Sequence, residues 1–162
     1  MHYYDYYHSP RGRMLLVADD TALTGAYFTG QKYHPRIEKG WIRGAQHILL
    51  GQAKRELAEY LGGTRTRFTV KIAPRGTPFQ RAVWKAITGV AFGKTIPYAE
   101  LSRRAGRPGS ARAAGGATGR NPISIIVPCH RIVGSNGVLT GYAGGLTKKR
   151  AFLALEGHSS RC

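Results

Sequence analysis

The sequence predicts a mixed α/β protein of the α+β type: a small N-terminal antiparallel sheet with one helix, followed by a mainly helical half that contains a helix-turn-helix. Three observations carry this. Tyr-rich and apolar runs separated by turn residues fill the start of the chain, one long stretch with helical spacing follows them, and beyond Pro74 the texture changes to short, capped segments rich in Ala and Gly. Residues 1–74 are therefore expected to form a support domain, 75–157 the domain that binds and reacts, and 158–162 a tail.

In the first half, His2 to His8 is Tyr-rich and Pro10-Arg11-Gly12 supplies turn chemistry. Met14 to Ala18 is apolar, Asp19-Asp20 turns the chain again, and Ala22 to Phe28 is β-prone, which together predict an antiparallel meander. Gln31 to Gly44 carries mixed charge, Pro35 and two glycines and reads as a long loop. Ile48, Leu49, Ala53, Leu57, Tyr60 and Leu61 recur at helical spacing, and Gly62-Gly63 ends the helix. Phe68 to Ile72 is expected to return as a strand before the junction at Pro74-Arg75-Gly76.

In the second half, Thr77 caps a helix that has Pro78 at its first position, Gln80 placed to reach back, and Phe79, Val83, Trp84 and Ile87 on its apolar face. Gly89 to Gly93 ends it. A second helix is expected from Tyr98 to Ala105, then a turn at Gly106-Arg107-Pro108-Gly109, then a third helix capped by Ser110 and reaching about Thr118. That third helix is built from Ala111, Ala113, Ala114, Gly115, Gly116 and Ala117, so its surface is nearly bare, with Arg112 projecting from it. Asn121-Pro122 breaks the helix, and Ile123 to Val127 reads as a buried strand that ends at Pro128-Cys129-His130-Arg131. The stretch Gly141-Tyr142-Ala143-Gly144-Gly145 lacks the Gly-Lys-Ser/Thr ending of a phosphate loop and is read as a close-approach loop. Leu146 to Glu156, carrying Lys148-Lys149-Arg150, is the last helix.

At 162 residues and 42% apolar, the chain suits one or two small packed domains and excludes a large multidomain enzyme and a disordered chain. No apolar stretch is long enough for a membrane span and the opening residues lack a leader pattern, so a soluble, cytoplasmic protein with no membrane partner is expected. Lys and Arg number 25 against 8 Asp and Glu, a formal charge of +17. Residues 1–74 hold 11 basic and 6 acidic side chains (net +5), and residues 75–162 hold 14 and 2 (net +12). Such an imbalance points to a polyanion, and nucleic acid bound by the second half is the leading candidate.

The only cysteines are Cys129 and Cys162, the latter read as frayed tail, and nothing favours a disulfide between them. With no Cys-x-x-Cys, no His-Glu-x-x-His and no carboxylate cluster, neither a metal site nor a cofactor is expected. Cys129 has an imidazole and a guanidinium next to it in His130 and Arg131, groups that favour a reactive thiolate. On an extended backbone adjacent side chains diverge, so adjacency does not assure a direct thiol–imidazole pair, and a bridging water could carry the proton. The imidazole needs an orienting acceptor. Glu156 and Glu100 are the only acids beyond Pro74; Glu100 sits within the second helix as a surface residue, which leaves Glu156 as the candidate, with an ordinary solvent-facing acid as the other reading.

Val127-Pro128-Cys129-His130-Arg131-Ile132-Val133 resembles the active-site signature of the O6-alkylguanine-DNA alkyltransferases, or methylated-DNA-protein-cysteine methyltransferases. The likeness continues in order through Thr77-Pro78-Phe79-Gln80 with Val83-Trp84, Gly93-Lys94-Thr95-Ile96-Pro97-Tyr98, Ala111-Arg112-Ala113, Gly115-Gly116-Ala117, Asn121-Pro122, Gly141-Tyr142-Ala143-Gly144-Gly145-Leu146 and Leu155-Glu156-Gly157. It is dense from about Arg75 to Gly157 and vague before that.

The resemblance implies DNA repair by a single transfer of an alkyl group from O6 of guanine, or O4 of thymine, in double-stranded DNA to the Cys129 sulfur, leaving a thioether. It implies that His130 with a water acts as base toward Cys129, that Glu156 orients His130, that Asn121 holds the active-site turn and that Tyr98 donates toward the departing guanine. It further implies that the target nucleotide is rotated out of the stack, that Arg112 fills the gap, and that the small-residue helix enters the minor groove. DNA contacts are then expected from Ala111, Ala113, Gly115, Thr95 and Tyr98. Tyr142, Ala143 and the backbone at Ile132 would form the base pocket, with Lys149 on the pocket loop or the phosphates. Departures are Ala114 where many relatives have valine, Ala143 where some have serine, and an N-terminal half without cysteine, so no zinc is expected there. A monomer is expected, with cooperative binding along DNA left open.

Two rivals compete. A non-catalytic alkylguanine-lesion-binding protein of the alkyltransferase-like type uses the same scaffold, but those proteins lack the acceptor cysteine that stands here at Cys129. A cysteine hydrolase using Cys129 and His130 has no need of the net +12 half or of Arg112 on its bare helix.

Overall fold

The structure is a computed structural model that describes residues 1–158; Cys162 lies outside the described residues. The chain divides into two units, one of Met1–Arg75 with Pro122–Ser124, the other of Gly76–Asn121 with the residues from Ile125 onward.

In the first unit, β1 (Tyr3–Ser9), β2 (Gly12–Ala18) and β3 (Leu23–Phe28) pair antiparallel, with Pro10 and Arg11 at the tip of the first hairpin and Gly12 at a positive φ of 124° that only glycine adopts without strain. The sheet order is β3-β2-β1-β4. The last strand, β4 (Ile42–Arg43), lies inside the segment read as loop and joins β1 parallel, so the sheet is not a pure antiparallel meander. Two residues are too short for an alternation pattern to announce them.

Helix α1 (Ile48–Leu61) buries Leu50, Ala53, Leu57 and Tyr60, and Lys54 ties it to the sheet through Asp5, which also accepts from Arg43 at 3.0 Å. Its buried Glu56 accepts the N–H groups of Thr69 at 2.8 Å and Val70 at 3.1 Å together with the Thr69 hydroxyl at 2.7 Å. This capture is why Phe68 to Ile72 is not the expected strand: a carboxylate, not a neighbouring strand, satisfies that backbone, and only Ile72 bridges to Leu23.

Ile123 to Val127 is buried as expected but is not a strand either. Ala26 donates to the Pro122 carbonyl at 2.8 Å and accepts from the Ser124 N–H at 2.9 Å, and the next residue, Ile125, turns away at a φ of +71°. Left-handed backbone at a β-branched residue is incompatible with extended pairing.

In the second unit, α2 (Pro78–Thr88) carries the full capping box between Thr77 and Gln80, and the Trp84 indole donates to the Ala117 carbonyl at 2.8 Å. Two short helices follow, α3 (Tyr98–Arg104) and α4 (Ala111–Gly119). Ser110 precedes α4 without capping it: at φ −112° and ψ 41° its hydroxyl makes no cap bond, and its N–H goes instead to the Ser102 hydroxyl at 3.3 Å. Strands β5 (Ile96–Pro97) and β6 (Ile132–Val133) pair in parallel, an element the sequence reading missed, and α5 is Leu146–Leu155. His158, assigned above to the tail, is held by Leu153 and by the Gly93 carbonyl. Among the described residues no helix is long and apolar enough to cross a membrane.

Candidate active site

Cys129 sits on a sharply turned backbone. Its N–H reaches the Val127 carbonyl at 2.8 Å across Pro128, whose φ of −81° and ψ of 64° make an inverse γ-turn. Cys129–Arg131 then winds as one 3-10 turn, and Ile132 enters β6. Proline favours the first turn because its ring already fixes φ near the required value. The Asn121 amide donates to the same Val127 carbonyl at 2.9 Å. The extended geometry expected for this dipeptide is thus replaced by a turn. The parallel pairing of Ile96 with Ile132 and Pro97 with Val133 sets the segment that leads into β5 beside the turn that precedes β6, and Tyr98, the residue after β5, is close enough to Cys129 to feel its charge state.

His130 is fully buried, its ring 5.4 Å edge-on to Phe152, and its Nε2 lies 2.7 Å from Glu156 Oε2. Glu156 is buried and not solvent-facing, and it receives more than the imidazole. Arg131 Nε donates to Oε1 at 2.8 Å and a terminal nitrogen donates to Oε2 at 3.0 Å, while the Gly93 N–H donates to Oε1 at 3.4 Å. The other arm of Arg131 donates to the Val90 carbonyl at 2.6 Å. Sequence reasoning treated Arg131 as a cation beside the thiol and missed this pairing. The available sign was the scarcity of acids: a buried carboxylate in so basic a half requires a cation of its own. Glu100 is spent on Arg103 and Arg104, at 2.6 Å and 2.8 Å, which holds its carboxyl down at about 2.

Burial pushes the Cys129 thiol above its ordinary value, outweighing the downward pull of the Asn121 amide, the Lys149 charge, its own N–H and the Tyr142 hydroxyl. The expectation that adjacent cations favour a standing thiolate is therefore corrected. The site holds a thiol, and Arg131 is committed elsewhere. Burial also lowers His130, against the upward pull of Glu156 and with smaller downward pushes from Arg131 and Lys149. The imidazole is neutral at pH 7 and able to accept a proton.

Lys149 is buried on α5 and donates to the carbonyls of Ile132 at 2.7 Å, Thr140 at 3.3 Å and Gly141 at 3.4 Å. It therefore staples the glycine-rich loop to β6 and is out of reach of phosphates. Burial brings its ammonium down to about 8, opposed by the pull that an ionised Cys129 exerts. Ile132 is buried, with its N–H on the Cys129 carbonyl and its own carbonyl on Lys149. Tyr142 and Ala143 are half-buried on the stapled loop, with the Tyr142 ring 6.1 Å from Phe152.

Tyr98 opens α3 with its hydroxyl 2.9 Å from that of Thr140, a residue the sequence did not flag. Burial raises the phenol, against the Thr140 bond, and a thiolate forming at Cys129 would raise it further, so it stays protonated as a donor. A Cβ on Gly115 would stand 3.6 Å from the Tyr98 ring, so the bare α4 backbone is what the tyrosine packs on. Ala114, Ala117 and Thr118 of α4 are buried, whereas Arg112, Ala113, Gly116, Gly119 and Arg120 are exposed. Those exposed positions fall on one helical face. Ala111 is half-buried behind it, and Thr95 lines a cavity of about 270 Å³ with Val133, Leu139 and His158. Among the described residues no group of three His, Cys, Asp or Glu side chains is placed to hold a metal ion.

Two family models match the chain: the ribonuclease-like domain of 6-O-methylguanine DNA methyltransferase over residues 2–74, and the DNA binding domain of 6-O-methylguanine DNA methyltransferase over residues 78–158. The methylated-DNA–protein-cysteine methyltransferase of Methanosarcina acetivorans is 42% identical over 96% of this chain and 98% of its own length. That of Haemophilus influenzae is 39% identical over 95% and 86%. The crystal structure of Mycobacterium tuberculosis O6-methylguanine methyltransferase superposes with a TM-score of 0.85 at 42% identity, covering 96% of this chain and 93% of its own. The Mycobacterium tuberculosis OGT in complex with DNA superposes with a TM-score of 0.87 at 40% identity, covering 99% and 96%.

Proposed function

The chain belongs to the 6-O-methylguanine DNA methyltransferase family, and from that premise we propose that Cys129 is the alkyl acceptor and O6-alkylguanine in duplex DNA the substrate. The protein binds DNA and repairs it by alkyl transfer. The observation that carries the assignment of roles is the buried Glu156–His130 pair, with His130 on the same turn as Cys129 and Tyr98 within electrostatic reach of the thiol.

With its Nε2 held on Glu156, the imidazole takes the thiol proton at Nδ1 through a bridging water. The Sγ–C bond forms in line as the C–O6 bond breaks, and the electron pair passes to O6. Tyr98 donates its hydrogen bond, then its proton, to the departing guanine, and solvent restores the phenol from the imidazolium. The low dielectric that keeps Cys129 a thiol at rest also strengthens these interactions once the everted base lies against the sulfur. A thioether is not reversed by thiol exchange, so each molecule acts once. Preincubation with a duplex bearing one O6-methylguanine should remove the protein's remaining transfer capacity linearly, to zero at one equivalent, and unmodified duplex should remove none. Tight binding with no loss of capacity would instead mark a lesion-binding protein.

The substrate atom lies inside the base stack, and everting its nucleotide costs about a few kcal/mol. The exposed face of α4, with Arg112 at one end, Arg120 at the other and only Ala113, Gly116 and Gly119 between them, is shaped to enter a groove closely. A Cβ on Gly116 meets nothing within 4 Å, so Gly116→Leu should leave the fold intact. The same substitution should weaken duplex binding by about tenfold, an effect on the order of 1.4 kcal/mol, measured by fluorescence anisotropy. The protein works as a monomer, since both the acceptor and its base lie on one turn of one chain.

A further inference from the structure

We propose that Arg131 is a positioning residue for the transfer: by engaging both carboxylate oxygens of Glu156 it lets that carboxylate orient the His130 imidazole without holding a second positive charge on it. The inference rests on the functional reading above and deepens it.

The geometry is specific. The guanidinium meets Oε1 through Nε at 2.8 Å and Oε2 through a terminal nitrogen at 3.0 Å, and Oε2 is also the atom that His130 Nε2 reaches at 2.7 Å. Imidazole and guanidinium therefore share one anion. The remaining arm is anchored by the Val90 carbonyl at 2.6 Å, and the group is buried with its centre 5.8 Å from the Phe92 ring. A planar fork held at three points keeps its charge where it is, which an ammonium on a flexible stem does not do.

The charged and titratable groups facing His130 are Glu156 at the end of α5, Lys149 within α5, and Cys129 and Arg131 on its own turn; Phe152 meets it as a neutral edge. Burial disfavours the charged ring first of all, and the one anion that would hold a proton on it stands against two cations, so the imidazole stays neutral, as a proton acceptor must. Without the guanidinium, the buried Glu156 would face the imidazole with only Lys149 nearby, and the ring would take up a proton to pair with it. A protonated imidazole cannot receive the Cys129 proton.

The test compares Arg131→Met and Arg131→Lys with the parent protein in two measurements. One is the single-turnover transfer rate on an O6-methylguanine duplex from pH 5.5 to 8.5. The other is the titration of the His130 ring followed by NMR on the DNA-free protein. Arg131→Met should move the acid limb of the rate profile and the ring titration upward together by about one pH unit, a tenfold loss of rate at fixed acid pH that fades in alkali. Arg131→Lys, whose ammonium holds only one carboxylate oxygen, should move both by less and in the same direction, and it serves alone if the Met variant does not fold. An unmoved acid limb and ring titration in a folded variant, with only the thermal midpoint lowered, would overturn the proposal. If the parent transfers no methyl group, the functional reading fails, and the ring titration still decides the role of Arg131.

Discussion

Cys129→Ser is expected to abolish alkyl transfer, with a loss on the order of 10⁴-fold or more, while duplex binding stays within about twofold of the parent. The loss follows from the resting state of the site. Burial already holds the thiol protonated, so the nucleophile forms only as its proton leaves for a neutral His130. A hydroxyl is several units less acidic than a thiol, and an imidazole whose own basicity is lowered cannot take its proton in the same environment. Oxygen also lacks the polarisability that suits sulfur to displacement at carbon. The substitution is nearly isosteric, and the Asn121 and Tyr142 side chains that face the sulfur can bond a hydroxyl equally well, so the turn and the exposed α4 face should persist. Transfer assayed with labelled methyl DNA beside a gel-shift measurement separates the two effects. Residual transfer within tenfold of the parent would remove Cys129 from the acceptor role.

Arg112→Ala is expected to slow transfer on duplex DNA by about a hundredfold and to leave transfer on a single-stranded oligonucleotide nearly unchanged. Eversion of a stacked base costs about a few kcal/mol, and a side chain that fills the vacated space offsets that cost only where a stack exists. Arg112 is exposed on α4 beside Ala113, with no bulky neighbour on its face to support a different role. General affinity should fall only by the share of one phosphate-range cation, seen as a small decrease in the slope of log binding constant against log salt. Equal losses on single and double strands would contradict the gap-filling role and leave Arg112 as one more basic surface residue.

What the sequence made legible follows the range of the interactions involved. The capping box at Thr77 and Gln80 and the Gly62-Gly63 stop are local, and each appears where its residues predict it; the α1 stripe holds at Ala53, Leu57 and Tyr60 but starts at Leu50, while Ile48, expected on that face, is 84% exposed. The failures are non-local. Phe68 to Ile72 and Ile123 to Val127 have strand-like composition, yet the first is captured by Glu56 from another element and the second departs from extended backbone at Ile125. Pairings of two residues, β4 with β1 and β5 with β6, carry no periodicity at all. At the site, Cys129, His130 and Glu156 were named from chemistry and resemblance, and the structure brings the last two to hydrogen-bonding distance. The partners that set their behaviour, Arg131 on Glu156 and Thr140 on Tyr98, depend on which side chain points inward at a turn and a loop. Proximity in sequence even misled: Arg131 is two residues from Cys129 along the chain but spends its charge on an acid 25 residues away.

Covalent capture of the lesion's carbon by one sulfur is the step on which the proposed repair depends. Digestion and mass spectrometry after reaction with excess O6-methylguanine duplex measures this directly. One methyl group on the peptide containing Cys129, never exceeding one per protein molecule, is the predicted result. Methyl on another residue, or methyl removed from DNA beyond one equivalent with Cys129 unmodified, would contradict it.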